Sequence, residues 1–216
     1  NNFDRKYFIE EIKIKSHIIK KINGSGVNLE IFKYNDFNNT SKNIVNFVFI
    51  GRLISDKGII EYLKCAEIIK NQRKNINFEV VAIVDKKNIS SISKNFINYY
   101  IDKNIITYYE NEKNVVSFIN KASCIVLPSY REGLPKTLLE AIAIGRPIIA
   151  SDVPGCNELV INDFNGFLFE TKNLNDLIMK INNFIDLDFY QKKTFADNSY
   201  SMVKKFDIDI IIKKYL

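Results

Sequence analysis

The stretch from Cys124 to Ala150 constrains the fold more than any other. Cys124-Ile125-Val126-Leu127 is a short, wholly apolar run, which reads as a buried strand. Gly133 and Pro135 punctuate the turn that follows. Pro135 suits the first position of a helix, where its missing N–H is not needed. Leu138 to Ile144 is apolar at every position except Glu140, Gly145 and Pro147 close the helix, and Ile148-Ile149-Ala150 opens the next strand. A buried strand, a greasy helix and a second buried strand in immediate succession call for a parallel sheet covered by helices.

The rest of the chain repeats that alternation. Val45 to Ile50 is an apolar strand ending at Gly51-Arg52, and Ile59, Ile60, Leu63, Ala66 and Ile69 follow at helical spacing. Phe78 to Val84 and Ile105 to Tyr109 read as strands, Val115 to Ala122 as a short helix, and Phe167 to Phe169 as a last strand. Leu174 to Phe184 and Phe206 to Leu216 read as amphipathic helices, and Asn157 to Val160 as a helical turn. At the N-terminus, Asp4 to Glu11 reads as a helix capped by Asp4, and Ile18 to Ile22 as a weak strand. Strands alternating with helices predict a doubly wound, mostly parallel α/β sheet, whose ligands bind beyond the carboxyl ends of the strands.

Glu140 is the informative oddity. An unpaired carboxylate buried on so apolar a helix costs several kcal/mol, so it must face a partner, a solvent-filled cleft or a ligand. Glu132 lies just before the helix, whose first N–H groups and positive dipole end form an anion site between the two acids. Two hydroxyl-binding carboxylates flanking a phosphate-binding helix start suit a nucleotide-sugar. Spacing alone equally allows a loop charge at Glu132 and a salt-bridged helix residue at Glu140. Gly51-Arg52 and Lys57-Gly58 place a basic pair in the loop after the first strand. Arg52 as a fork and Lys57 as a point charge suit two phosphates, and the loop glycine allows close backbone approach to a ligand. Two ordinary cations on a solvated loop are the alternative.

The words around these residues resemble a known family. Ser129-Tyr130-Arg131-Glu132-Gly133-Leu134-Pro135-Lys136-Thr137-Leu138-Leu139-Glu140-Ala141, followed by Gly145-Arg146-Pro147-Ile148-Ile149-Ala150-Ser151-Asp152-Val153-Pro154-Gly155, is similar to the signature of family-four retaining GT-B glycosyltransferases. Its two glutamates match Glu132 and Glu140, and its Gly-Arg-Leu and Lys-Gly match Gly51, Arg52 and Lys57. The resemblance implies a Rossmann-like domain, the C-terminal, donor-binding half of a GT-B fold. It also implies transfer of a hexose or N-acetylhexosamine from a nucleotide-sugar, a UDP-sugar above all, with retention and without a bound metal or other cofactor. By the family pattern Arg52, Lys57 and Glu132 are catalytic. Gly51, Arg52 and Lys57 contact the donor phosphates, Glu140 holds the ribose, and Glu132, Gly133, Leu134 and Pro135 surround the transferring sugar. Gly24-Ser25-Gly26-Val27-Asn28 with Phe32 resembles the family's interdomain hinge, with Asn28 for the usual aspartate. Residues 1–30 then read as the end of a preceding acceptor domain plus hinge, 31–200 as the donor domain, and 201–216 as a helix crossing back to the first domain. Asp85 stands where many relatives carry a glycine-rich turn, and Glu110 where they often carry glycine. The segment from Asp85 to Ser93 resembles a subgroup that assembles bacterial surface oligosaccharides.

Composition removes other classes. The net charge of +6 suits anionic ligands or an anionic membrane face, but the lysines are interspersed with acids, which leaves no stripe for nucleic acid. Cys65, Cys124 and Cys156 are widely spaced, as in a reduced, cytoplasmic compartment. No apolar run reaches the roughly 20 residues of a bilayer span, so membrane contact is expected only at the inner face of the plasma membrane. Asp186-Leu187-Asp188 and Asp207-Ile208-Asp209 spell a metal-binding triplet, yet helix capping or solvated charge explains them better. His17 has no visible cleft partner. Expected partners are a nucleotide-sugar, a saccharide or lipid-linked acceptor and the protein's own first domain. Two rivals stand beside this reading: a nucleotide-sugar epimerase of GT-B shape and a non-enzymatic binding module.

Overall fold

The structure, a computed structural model, describes residues 1–22, 24–38, 44–85 and 87–215. Asn23, Lys86 and Leu216, which enter the readings above, lie outside the described residues. Six strands form one sheet: β1 Val45–Arg52, β2 Ile76–Ile83, β3 Thr107–Glu110, β4 Cys124–Leu127, β5 Ile148–Ser151 and β6 Gly166–Phe169. They lie in the order β3-β2-β1-β4-β5-β6, and every pairing is parallel. Register is anchored at Phe47, opposite Phe78 on one side and Cys124 on the other. The order reverses between β1 and β4, the switch point at which such sheets open a crevice.

The helices are α1 Asn2–Glu10, α2 Ile59–Gln72, α3 Lys94–Asp102, α4 Val115–Lys121, α5 Lys136–Ile144, α6 Leu174–Asp186, α7 Phe189–Ser201 and α8 Ile208–Tyr215. They cover both faces, because successive side chains of a strand point to opposite sides. Phe47 and Phe49 enter a core with Tyr62 and Leu63 of α2, Ile97 of α3 and Phe184 of α6. Val48 and Ile50 enter the opposite core with Ile119 of α4 and Leu138 and Ile142 of α5. Burial on both faces explains why β4, β5 and, but for the buried Asn46, β1 read as apolar runs rather than alternating ones.

Several local expectations are corrected. Ile18 to Ile22 is not a strand: Ser16–Ile18 is a 3-10 turn and the chain then runs without regular structure. Asn1, not Asp4, caps α1, its side chain accepting the Asp4 N–H. Pro135 precedes α5 as its cap residue, with φ −70° and ψ 124°, so the helix begins at Lys136. The third strand starts at Thr107 and reaches Glu110, and the last helix starts at Ile208 after a 3-10 turn over Val203–Phe206. Helices α3 and α7 were not anticipated. Asp188 caps α7 in a reciprocal capping box with Gln191, and Asp207 accepts the Asp209 N–H, so both acidic triplets are local backbone caps.

Arg146 supplies a tie the sequence did not disclose. Its side chain is 2% exposed and donates to the carbonyls of Asn35, Ile119, Asn120, Ile144 and Gly145. Burial lowers its pKa to about 10, so it stays charged at neutral pH while pinning the ends of α4 and α5 to the 35–37 segment. Arg146→Ala strands these buried acceptors and is expected to cost about 3 kcal/mol or more in urea denaturation. Arg146→Lys should recover little, since one ammonium cannot replace a planar fork; near-wild-type stability in either variant would contradict this role.

Candidate functional site

The carboxyl ends of β1, β2 and β4 open into a cleft of about 580 Å³. Its floor is Ile50, Gly51 and Arg52 from β1, Val81 to Ile83 from β2, and Leu127 from β4. Its walls are Lys57, the run Glu132 to Thr137, and Glu112 with Val115 beyond β3. Gly51, Arg52, Lys57, Glu132, Gly133, Leu134 and Pro135 are thus brought together. Glu140 is not among the lining residues: it lies one turn deeper in α5, below Lys136 and Thr137 on the same helical stripe.

Two loops from neighbouring strands build the reactive end. The chain after β1 makes a 3-10 turn over Ser55–Lys57, then Gly58 takes φ +69° and α2 begins. A Cβ on Gly58 would lie 1.9 Å from the Pro128 carbonyl oxygen. The expectation that this glycine admits a ligand is therefore corrected: it admits the backbone of the β4–α5 loop. Tyr130 N–H donates to the Asp56 carbonyl at 2.9 Å, joining the same two loops. Gly155, at φ +89°, leaves room in the same way for the carbonyls of Glu132 and Gly133.

Charge is arranged in pairs. Lys57 Nζ donates to Glu132 Oε1 at 2.5 Å, with the two side chains 21% and 10% exposed. Arg52 pairs with Asp85 at 3.2 Å but is 51% exposed, and such surface pairs contribute roughly 0–1 kcal/mol, so its guanidinium is free to turn. Lys136 and Thr137 open α5, and their N–H groups find no acceptor among the described residues. The Thr137 hydroxyl donates to the Ile50 carbonyl at 3.2 Å, fixing the helix start over β1. Glu140 makes no hydrogen bond or ion pair among the described residues, and burial holds its carboxyl above the usual carboxylate range, with Lys136 acting in the opposite sense.

Sequence reasoning missed the far end of the cleft. Asn111, rather than the glycine usual nearby, takes the left-handed conformation with φ +58°. Its N–H donates to the Ala82 carbonyl and its Oδ1 accepts from Val84 N–H. That anchored turn sends Glu112 to the cleft rim, while Glu110 turns away to pair with Lys94 at 2.9 Å. Exposed Ile83 and half-buried Val115 give this end an apolar platform. The departure at Glu110 was the available signal; it located the loop but not the residue. Among the described residues no group of three or more His, Cys, Asp or Glu side chains is placed to hold a metal ion.

Comparison with known proteins places this geometry. The family model "Glycosyl transferases group 1" matches residues 31–202. The chain is 30% identical over 225 residues to N,N'-diacetylbacillosaminyl-diphospho-undecaprenol alpha-1,3-N-acetylgalactosaminyltransferase of Campylobacter jejuni subsp. jejuni serotype O:2, covering 97% of this chain and 56% of that protein. It is 28% identical over 233 residues to UDP-Gal:alpha-D-GlcNAc-diphosphoundecaprenol alpha-1,3-galactosyltransferase of Escherichia coli, covering 99% and 60% respectively. The chain therefore spans just over half the length of these two curated relatives. Anabaena HepE in complex with UDP shares the fold at a TM-score of 0.83 and 18% identity, over 100% of this chain and 60% of that one. A glycosyltransferase from Rickettsia africae does so at 0.83 and 20%, over 99% and 60%.

Two outcomes are expected of the site's own chemistry. Gly58→Ala forces a left-handed alanine into the Pro128 carbonyl and should cost about 2 kcal/mol or more, read by urea denaturation; a cost near zero would contradict the loop docking. A carboxyl whose folded-state pKa is raised contributes stability that is complete below its unfolded pKa and is lost as pH rises through the folded one. Glu140→Gln stays neutral throughout, so it should lose less stability than the wild type as pH rises above about 4. At neutral pH its melting temperature should be higher than that of the wild type. Equal pH profiles would show that Glu140 is not strained.

Proposed function

The chain belongs to the glycosyl transferases group 1 family, and from that premise we propose that it is the donor-binding half of a retaining glycosyltransferase. One observation carries the reading: Arg52, Lys57, Glu132 and the uncapped start of α5 converge on one cleft at the switch point of the sheet. That is one carboxylate and two cations around free N–H groups, a set suited to a diphosphate joined to a sugar.

In this reading the diphosphate lies over Gly51 and the start of α5. Arg52, Lys57 and the N–H groups of Lys136 and Thr137 answer the negative charge that grows on the leaving group, in a site organised before reaction. No bound metal is given a part. Glu132, with Gly133, Leu134 and Pro135, faces the transferring sugar. Glu140 receives the ribose hydroxyls, which would give its unpaired carboxylate the donors it lacks. The apolar end at Ile83 and Val115 receives the base. A UDP-sugar is the proposed donor; the relatives' names support it, one specifying UDP-Gal, as does the UDP bound by HepE.

The proposed acceptor is a saccharide on a lipid diphosphate, as the names of the Campylobacter and Escherichia relatives specify for those proteins. Such a reaction would take place at the cytoplasmic face of the membrane; among the described residues no helix is long and apolar enough to cross one. Acceptor binding is assigned to a further domain, in keeping with the share of its relatives that this chain spans. Gly26 and Val27 pack against the start of α8, where Val27 N–H donates to the Phe206 carbonyl and Ile208 N–H donates to the Val27 carbonyl, so in this reading hinge and final helix leave the domain at one place.

Calorimetry tests the reading. The 216-residue chain should bind UDP, and Lys57→Ala and Arg52→Ala should each weaken binding about tenfold or more, the loss of one charge-assisted contact. The chain alone should neither transfer nor hydrolyse a UDP-sugar at an enzymic rate. Failure to bind UDP would overturn the donor assignment, and full turnover by this chain would overturn the need for a second domain.

A further inference from the structure

The Lys57–Glu132 pair has a consequence beyond holding two loops together. Each group already satisfies the other at 2.5 Å, and Glu132 is the more enclosed of the two. The carboxylate oxygen Oε1 takes its hydrogen bond from Lys57 Nζ, with no other donor to it among the described residues. Whatever draws Lys57 toward a phosphate therefore takes from Glu132 Oε1 the one donor it has among the described residues, next to an incoming anion.

We infer that this pair discriminates donor from product: it disfavours a bare nucleoside diphosphate and is satisfied only when a hydroxylated sugar is attached to it. The inference rests on the donor reading given above. A bare diphosphate takes Lys57 and leaves Glu132 repelled and unpaired. A sugar diphosphate takes Lys57 and returns hydroxyl donors to Glu132, so the two halves of the ligand bind cooperatively. Once the sugar has left, Glu132 loses those donors and reclaims Lys57, and the spent nucleotide is released more readily. Glu132 acts on the nucleotide half through Lys57, as a positioning residue, and on the sugar half by direct contact.

The account predicts an unusual sign. Removing a carboxylate from the binding cleft should tighten the binding of UDP, whereas a merely structural role for the pair would weaken it or leave it unchanged. Isothermal titration of the 216-residue chain with UDP, and with UDP-glucose, UDP-galactose, UDP-N-acetylglucosamine and UDP-N-acetylgalactosamine, reads the effect. Glu132→Gln should bind UDP at least about threefold more tightly than the wild type. Its preference for the best UDP-sugar over UDP should shrink by a similar factor or more. In the wild type itself the best UDP-sugar must bind more tightly than UDP, a requirement that holds whether or not the variant folds. Weaker or unchanged UDP binding by a folded Glu132→Gln, or a wild type that prefers UDP over all four sugars, would overturn the inference while leaving the donor cleft in place. Absence of binding by any of the five ligands would overturn both.

Discussion

The site depends on the contact between Gly58 and the Pro128 carbonyl. β1 and β4 are neighbours in the sheet but far apart in sequence, and the loops that leave them meet only because position 58 has no Cβ and accepts φ +69°. That approach sets Lys57 against Glu132 and fixes the Asp56 carbonyl under the Tyr130 N–H. It lays the β1 loop across the start of α5. A larger residue at 58 would separate the cations from the helix start that completes the anion site. Backbone sterics, not side-chain attraction, assemble the functional end of the molecule.

Stability and function pull against each other around that contact. Arg146 and Asp188 satisfy backbone groups on the far side of the domain. The cleft side carries the opposite features: an unpaired, desolvated Glu140, uncapped N–H groups at Lys136 and Thr137, and buried hydroxyls of Ser129 and Ser151 without partners among the described residues. Buried or half-buried polar groups left unsatisfied cost free energy, and a folded chain keeps them where a ligand will use them. Ser129 and Ser151, at the carboxyl ends of β4 and β5, lie beside the start of α5; other such groups, Asn46, Glu61 and Tyr108 among them, lie elsewhere in the domain.

What the sequence disclosed and what it hid divide along a physical line. The buried strands Cys124–Leu127 and Ile148–Ser151 and the apolar helix between them were legible because burial on both faces leaves no polar position to confuse the pattern. Glu140 stood out against that background. The strand ends at Gly51-Arg52 and the loop around Glu132 followed from the rule that such sheets bind ligands at their carboxyl ends. Helix α7 was hidden because its polar face is long and its buried residues, Phe195, Ala196 and Ser199, include only one large apolar side chain. The strand expected at Ile18 to Ile22 rested on weak alternation in a segment with little to pack against. Gly58 was recognised as special for the wrong reason, since no local pattern reveals that a carbonyl from another loop will pass within van der Waals contact. Glu112 was out of view for the same reason: its place depends on the left-handed turn at Asn111 and on strand order.

The account reduces to one spatial claim, that a diphosphate is held between the β1 loop and the first turn of α5. A crystal structure of this chain grown with uridine diphosphate tests it directly. Phosphate oxygens are expected within hydrogen-bond reach of Lys57 Nζ and the N–H groups of Lys136 and Thr137, with the base over Ile83 and Val115. Density for the nucleotide anywhere else, with the Lys57–Glu132 pair intact and the cleft empty, would contradict it.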